Sequence, residues 1–216
     1  MNKIDELFDL ILDKIDFIEI TINRSFLKKF KKEHNGINFY YTSNIKDLVY
    51  IIRKTLICYT KKGAKNYIND VILNSPLGFV ISPLKYQNIN IVFVSEHLKT
   101  NNPRLFDEVL YHEIGHIVCG HLKNQTDSDD INFQYEREAD NYSKSVLGLS
   151  KLIINEPDNS DYIAELSISI LKQLINDYNK CFKTKGASMM YLPSDIAELD
   201  IKTISVDIRS QLEARA

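Results

Sequence analysis

The sequence predicts an α+β domain: a small β-sheet packed on one central helix, with additional helices at the N- and C-terminal ends. Three observations predict it. Apolar residues recur at helical spacing through most of the chain. Two β-branched runs, 78–82 and 89–94, interrupt that texture near the middle. With 44% apolar residues in 216 and no repeat, low-complexity tract or linker, the chain suits one core.

The elements follow in order. Residues 3–18 set Ile4, Leu7, Phe8, Ile11, Ile15 and the pair Phe17 and Ile18 at helical spacing with carboxylates between them. A second helix is expected over 23–34, closed by Gly36 as a C-terminal cap. Residues 37–41 read as a short strand. Ser43 or Asn44 caps a helix to about Thr60, with Leu48, Ile51, Ile52, Leu56 and Tyr59 on one face, and a shorter helix follows Gly63 through Leu73. The runs 78–82 and 89–94, separated by Pro83 and a polar loop, read as a hairpin or as neighbouring strands.

Asn102-Pro103 is a strong helix start, since Asn caps and Pro at the first position gives up no needed N–H. That helix is expected to reach Gly120 or Leu122. After an acidic loop at 124–130, another helix begins near Asn132, with Tyr135, Ala139, Tyr142, Val146 and Leu149 on one face. Pro157-Asp158 opens one more, whose buried face is Ile163, Leu166, Ile170, Leu174 and Tyr178. Beyond 180 the signals conflict: Ser194 suits a helix cap, while Ile204, Val206 and Ile208 alternate like a strand. The expectation is a single domain over 1–216: a helical region at 1–72, a core at 75–150 and a helical extension at 157–216.

Charge narrows the function classes. Lys plus Arg is 27 and Asp plus Glu is 29, a net −2, so no direct nucleic-acid binding is expected. The basic cluster Lys28, Lys29, Lys31 and Lys32 reads as a solvated helix face. Cys58, Cys119 and Cys181 are odd in number and far apart, which argues for reduced thiols over a disulfide framework, with Cys119 in the core. No signal-peptide or membrane-spanning pattern is visible, so the expectation is a cytoplasmic protein with no membrane partner.

The chemistry concentrates in His112-Glu113-Ile114-Gly115-His116. Two histidines at i and i+4 on a helix point the same way and can reach one metal ion. Glu113 beside them can take a proton from a water held at the metal and pass it to a leaving amine. With 5 His and 12 Glu in the chain, random placement yields this pattern roughly 0.006 times. Mid-helix Gly115 costs about 1 kcal/mol relative to Ala, which predicts a close approach by another group.

Catalytic zinc needs a third protein ligand. His121 sits at the wrong offset for one, since six residues past His116 stands Leu122; a place at the helix C-terminus, beside its dipole, suits His121 better. The next helix offers Glu136, Glu138 and Asp140. Glu136 and Asp140 share one lane, so one carboxylate can bind metal while the other takes the free N–H of a ligand histidine, and small Ala139 permits close packing. The helical wheel alone leaves Glu136 and Glu138 both open. Tyr135, Tyr142 and Tyr191 are candidates for polarising a scissile carbonyl, with nothing to choose among them.

His112-Glu-Ile-Gly-His116 followed by Gly120-His121, and then Glu136-x-x-Ala139-Asp140, resembles the ImmA/IrrE-type zinc metallopeptidases of the gluzincin class, over roughly residues 75–150. The resemblance implies a zincin-like core and a Zn²⁺ cofactor. It implies His112, His116 and Glu136 as metal ligands, Glu113 as catalytic base and Asp140 as the acid behind a ligand histidine. It also implies a substrate-binding edge strand, matched by Gly78, Phe79, Val80, Ile81 and Ser82. The implied activity is endopeptidase cleavage of an intracellular protein, with an XRE-type helix-turn-helix repressor of a phage or mobile element as the partner. Two alternatives stand beside it: a metal-holding regulator that sequesters its partner without cutting, and a toxin or effector protease acting on a host protein. Glu113 discriminates the first, because a non-catalytic regulator has no chemical need for it.

Overall fold

The computed structural model describes residues 28–48, 51, 71–72, 75–82, 90–123 and 128–181. The helix expected over 3–18, most of those expected over 44–60 and 63–73, and the stretch beyond 181 lie outside the described residues.

Four strands form one mixed sheet: β1 (Lys31–His34), β2 (Ile37–Thr42), β3 (Gly78–Ile81) and β4 (Ile91–Val94), in the order β1-β2-β4-β3. β1 and β2 are antiparallel, β2 and β4 parallel, β4 and β3 antiparallel. The register sets Phe79 opposite Phe93 and Val80 opposite Val92. Among the described residues β3 is therefore an edge strand.

The helix expected over 23–34 is corrected here. Residues Lys28–Phe30 form a single 3₁₀ turn and residues 31–34 are β1. Asn35 and Gly36 both have positive φ, 49° and 76°. An Asn-Gly pair in that conformation is the favoured two-residue hairpin turn, and it folds 31–34 back onto 37–40. The end of the region expected to be helical thus supplies strand β1, while the strand expected over 37–41 is β2. Further on, Asn44 caps a helical segment at 45–48 as expected, its Oδ1 accepting from the Lys46 N–H at 2.9 Å.

β4 is the centre of the core. Ile91, Val92, Phe93 and Val94 are each fully buried, so both faces of the strand are covered, and each side chain contributes about 1.5–3 kcal/mol. After β4, Ser95 caps α1 (Glu96–Asn101), its side chain accepting from the His97 N–H. Asn102 caps α2 (Pro103–Val118) by accepting from the Leu105 N–H at 3.0 Å, with Pro103 at the first helical position. α2 stops at Val118, short of Gly120, and Cys119 at its C-cap is exposed, not in the core as expected. β3 and β4 pack on α2.

α3 (Asp129–Leu147) starts three residues earlier than expected, and its Val146 is exposed, not buried. Two short 3₁₀ turns, Ile153–Asn155 and Pro157–Asn159, lead into α4 (Ser160–Cys181), where Ile163, Leu166, Ile170, Leu174 and Tyr178 are buried. α4 packs on α1, and the His97 Nε2 to Asp177 Oδ2 contact at 2.7 Å ties them together. No helix among the described residues is long and apolar enough to cross a membrane.

Candidate metal centre

The motif residues 112–116 lie on α2, and α3 packs against them. The approach is as close as Gly115 predicted. A Cβ there would meet Ala139 Cα at 3.0 Å, its carbonyl oxygen at 3.1 Å and its Cβ at 3.3 Å. Ser143 adds a polar tie, its hydroxyl donating to the Glu108 carbonyl at 2.9 Å. With the two backbones in contact, the lane of Glu136 and Asp140 on α3 reaches the two histidines of α2.

Three side chains converge. His112 Nε2 and His116 Nε2 are 3.1 Å apart, Glu136 Oε2 lies 3.3 Å from the first and Glu136 Oε1 lies 3.4 Å from the second. These residues are one of three groups, among the described residues, that could hold a metal ion. The others are Cys119, His121 and Glu138, and Glu96, His97 and Asp177. In the His112, His116 and Glu136 group, each imidazole also has its second nitrogen in a hydrogen bond pointing away from the convergence. His112 Nδ1 is 2.8 Å from Asp140 Oδ1, and His116 Nδ1 is 3.0 Å from His121 Nδ1. The carboxylate open between Glu136 and Glu138 is resolved by position: Glu138 turns instead to His121 Nε2, at 2.9 Å.

Asp140 is itself held. Its Oδ2 accepts from Asn155 Nδ2 at 2.7 Å, so both carboxylate oxygens are bonded and the residue is buried. Asn155 reaches it from the turn after α3. That turn is anchored by Glu108, a buried carboxylate of α2 that accepts from the Ile153 N–H at 2.7 Å and from Arg104 Nε at 3.1 Å. Burial pushes the Glu108 carboxyl above its ordinary range. Sequence reasoning missed Glu108, Asn155 and the role of His121; a polar residue at a helical position otherwise facing the core was the one signal for Glu108.

Electrostatics follow from the crowding. Burial pulls the His112 imidazolium down, but hydrogen bonds to Asp140 and Glu136 and the charges of Glu113 and Glu136 outweigh it and raise the group to about 10. His116, buried beside the His112 charge, is lowered to about 4. Burial raises Glu113 to about 7, with the Glu136 charge adding to it, while the His112 charge and a hydrogen bond from the Val80 backbone oppose.

That last contact locates the strand residues. Gly78, Phe79, Val80 and Ile81 form β3, and Ser82 follows it. Phe79 and Ile81 are buried, with the Phe79 ring 5.1 Å from that of Phe93. A Cβ on Gly78 would lie 2.6 Å from Val109 Cγ1 of α2, so glycine lets the strand press onto the motif helix. One turn further along α2, Glu113 meets the Val80 backbone. The tyrosines divide differently: Tyr142 Oη is taken by His34 Nε2 at 2.6 Å and by Asn35, Tyr135 stacks on His121, and Tyr191 lies outside the described residues.

Comparison of the chain with protein-family models, with curated proteins and with solved structures returns no match.

Proposed function

We propose that this chain is a zinc-dependent metallopeptidase of zincin-like architecture, with His112, His116 and Glu136 as ligands and Glu113 as the catalytic base. The observation that carries the reading is the spacing of the ligand atoms. Ligands about 2.0–2.1 Å from zinc at a tetrahedral angle lie about 3.3 Å from one another. The two imidazole nitrogens are 3.1 Å apart, and the Glu136 carboxylate faces both, with Oε2 3.3 Å from His112 and Oε1 3.4 Å from His116; these are spacings of that size, in a nitrogen, nitrogen, carboxylate donor set that would suit zinc. Three protein ligands leave the fourth position open, the pattern of a catalytic site.

Zinc supplies a Lewis acid that polarises a peptide carbonyl and makes water acidic near neutral pH. Asp140 accepts the His112 Nδ1 proton and so presents the Nε2 lone pair to the centre. Glu136 completes the set through its carboxylate. Glu113 takes the proton of the attacking water at its carboxylate oxygen and delivers it to the departing amide nitrogen as the peptide bond breaks. A proton affinity near neutrality, about 7 in the metal-free protein, suits a group that must both accept and release.

The substrate is an extended segment laid along the free edge of β3, paired through main-chain hydrogen bonds. The Val80 backbone beside Glu113 supports this placement, since a segment bonded there brings its own backbone to the reacting carboxylate. The resemblance to ImmA/IrrE-type enzymes favours an intracellular target such as an XRE-type repressor.

The deciding experiment compares cleaved peptides in cells expressing the wild type and Glu113→Gln. The amide keeps the shape but cannot accept the proton, so cleavage products are expected to fall at least about 100-fold while zinc content is unchanged. Identical cleavage products from both forms would remove Glu113 from the mechanism.

A further inference from the structure

His121, Glu138, Gln134 and Tyr135 stand beside the metal centre and supply none of its three ligands, yet they form an ordered chain that ends on one of them. His116 Nδ1 is 3.0 Å from His121 Nδ1, His121 Nε2 is 2.9 Å from Glu138 Oε2, and Glu138 Oε1 accepts from Gln134 Nε2 at 2.7 Å. The Tyr135 ring lies against the His121 imidazole, centroids 4.3 Å apart and planes 12° from parallel. His121 is buried, whereas Glu138 is at the rim. The two imidazoles of the centre are thus held differently. His112 rests on a buried carboxylate, and His116 rests on another histidine.

Proton positions in this chain are fixed by elimination. If His116 offers its Nε2 lone pair to a metal, its one proton is on Nδ1 and needs an acceptor. The atom facing it is His121 Nδ1, which accepts only if its own proton is on Nε2. There the proton points at the Glu138 carboxylate. Every donor then meets an acceptor. The opposite tautomer of His121 would set two N–H groups against each other at 3.0 Å and leave a bare nitrogen against a carboxylate.

We propose that His121 is the positioning residue for His116, accepting its Nδ1 proton, and that Glu138, steadied by Gln134, selects the His121 tautomer that can do so. The proposal rests on the metal-centre reading above. It also speaks against Cys119, His121 and Glu138 acting as a second metal site. Ligation through His121 Nε2 would move the His121 proton to Nδ1, where it would face the His116 proton.

The test is made on the zinc-loaded full chain. Long-range proton–nitrogen NMR of the histidine rings is expected to show His116 protonated on Nδ1 and His121 on Nε2. Zinc affinity, measured by chelator competition, is expected to fall roughly 10- to 100-fold in His121→Ala. His121→Asn, whose amide oxygen sits where Nδ1 was, is expected to recover most of it. A proton on His121 Nδ1, or a second equivalent of zinc lost on substituting His121, would overturn the proposal. Equal affinity in all three forms would overturn it too, as would equal weakening in both variants, which would make His121 a packing residue only. A wild type that takes up no zinc would refute the metal centre itself, and the positioning role with it.

Discussion

Gly115→Ala separates the packing of α2 on α3 from the helix propensity of the motif. Taken alone, alanine gains about 1 kcal/mol over glycine in a helix interior. The structure opposes that gain. The new Cβ would sit 3.0 Å from Ala139 Cα and 3.1 Å from its carbonyl oxygen, where unstrained carbon contacts lie at about 3.5–4.0 Å. Both neighbours are backbone, so no side-chain rotation relieves them and α3 must retreat by about 0.5 Å; overpacking of this kind costs about 1–3 kcal/mol. The net effect is a loss of roughly 0–2 kcal/mol, a fall in Tm of up to about 8 °C for a chain of this size.

Metal affinity amplifies the effect. Glu136 lies on the same helix, one turn before Ala139, so retreat of α3 carries its carboxylate away from both imidazoles. Zinc affinity is expected to drop about tenfold, the lower end of what disturbing a ligand's support costs. Denaturant unfolding of the metal-free protein and chelator competition of the loaded one measure the two terms. Ala139→Gly in the same chain removes only the 3.3 Å Cβ contact and is expected to rescue little. A variant stabilised by the full propensity gain, with zinc affinity unchanged, would refute the close approach as the reason for Gly115.

Three further outcomes are expected. His112→Ala removes a ligand and the partner of Asp140, so metal analysis of the purified variant should find less than about a tenth of the wild-type zinc; full retention would exclude His112 from the site. Zinc uptake depends on pH because His112, raised to about 10 in the metal-free protein, still holds its proton at neutral pH and must release it. Affinity should therefore rise with pH towards that value, and calorimetry in two buffers of different ionisation enthalpy should show about one proton released near pH 8. By the same sign, metal-free protein gains stability from that proton below about 6.5 and loses it as pH rises towards about 10. Val80→Pro, placed where the backbone meets Glu113 and not the sheet, should leave the fold intact and impair cleavage of a peptide library; a chain that unfolds would mean that the Val80 N–H belongs to the ladder.

How far the sequence could be read depended on whether the signal was local. The caps at Asn44 and Asn102, the buried face of α4 and the strands at 78–81 and 91–94 depend on neighbours in sequence, and each was legible. Gly115 and Ala139 were legible as a demand for close packing, because a glycine inside a helix is costly without one. The strand at 37–41 was legible as well, but β1 was misread as helix, since Lys31, Lys32, Glu33 and His34 carry no apolar alternation. Among the described residues β1 is an edge strand, with three of its four residues exposed, so burial leaves no mark on its composition, and Asn35-Gly36 was the clue. In the site, residues at fixed helical offsets were legible, but helical geometry alone left Glu136 and Glu138 both open, and only the family resemblance favoured Glu136. The choice depends on where the His121 turn lies, and Glu138 is drawn there. Asn155 was illegible for the same reason, and Glu108 showed only as a polar residue on a core-facing position: their roles exist only once α2, α3 and the turn after α3 meet.

The ionisation of the metal-free protein carries an argument about what the site is built to hold. Glu113, Glu136 and Asp140 stand close to two imidazoles, and burial weighs on both histidines and on Glu113. At an effective dielectric of about 20, each carboxylate about 3 Å from a positive ring nitrogen contributes roughly 5 kcal/mol of attraction. That is why His112, with Asp140 and Glu136 at 2.8 and 3.3 Å, keeps a proton against burial. His116 is pushed the other way, to about 4, first by burial and then because a second positive centre would sit 3.1 Å from the first. The pocket thus asks for a single cation at one point, with a nitrogen lone pair from His116 already turned towards it. In the metal-free chain a proton on His112 fills that role incompletely, since it satisfies Glu136 but leaves Glu113 raised to about 7 by burial and by the neighbouring Glu136 charge. A divalent ion held by His112, His116 and Glu136, which could hold one, would answer both carboxylates at once, and on the metal-centre reading it would displace the His112 proton as the stronger occupant.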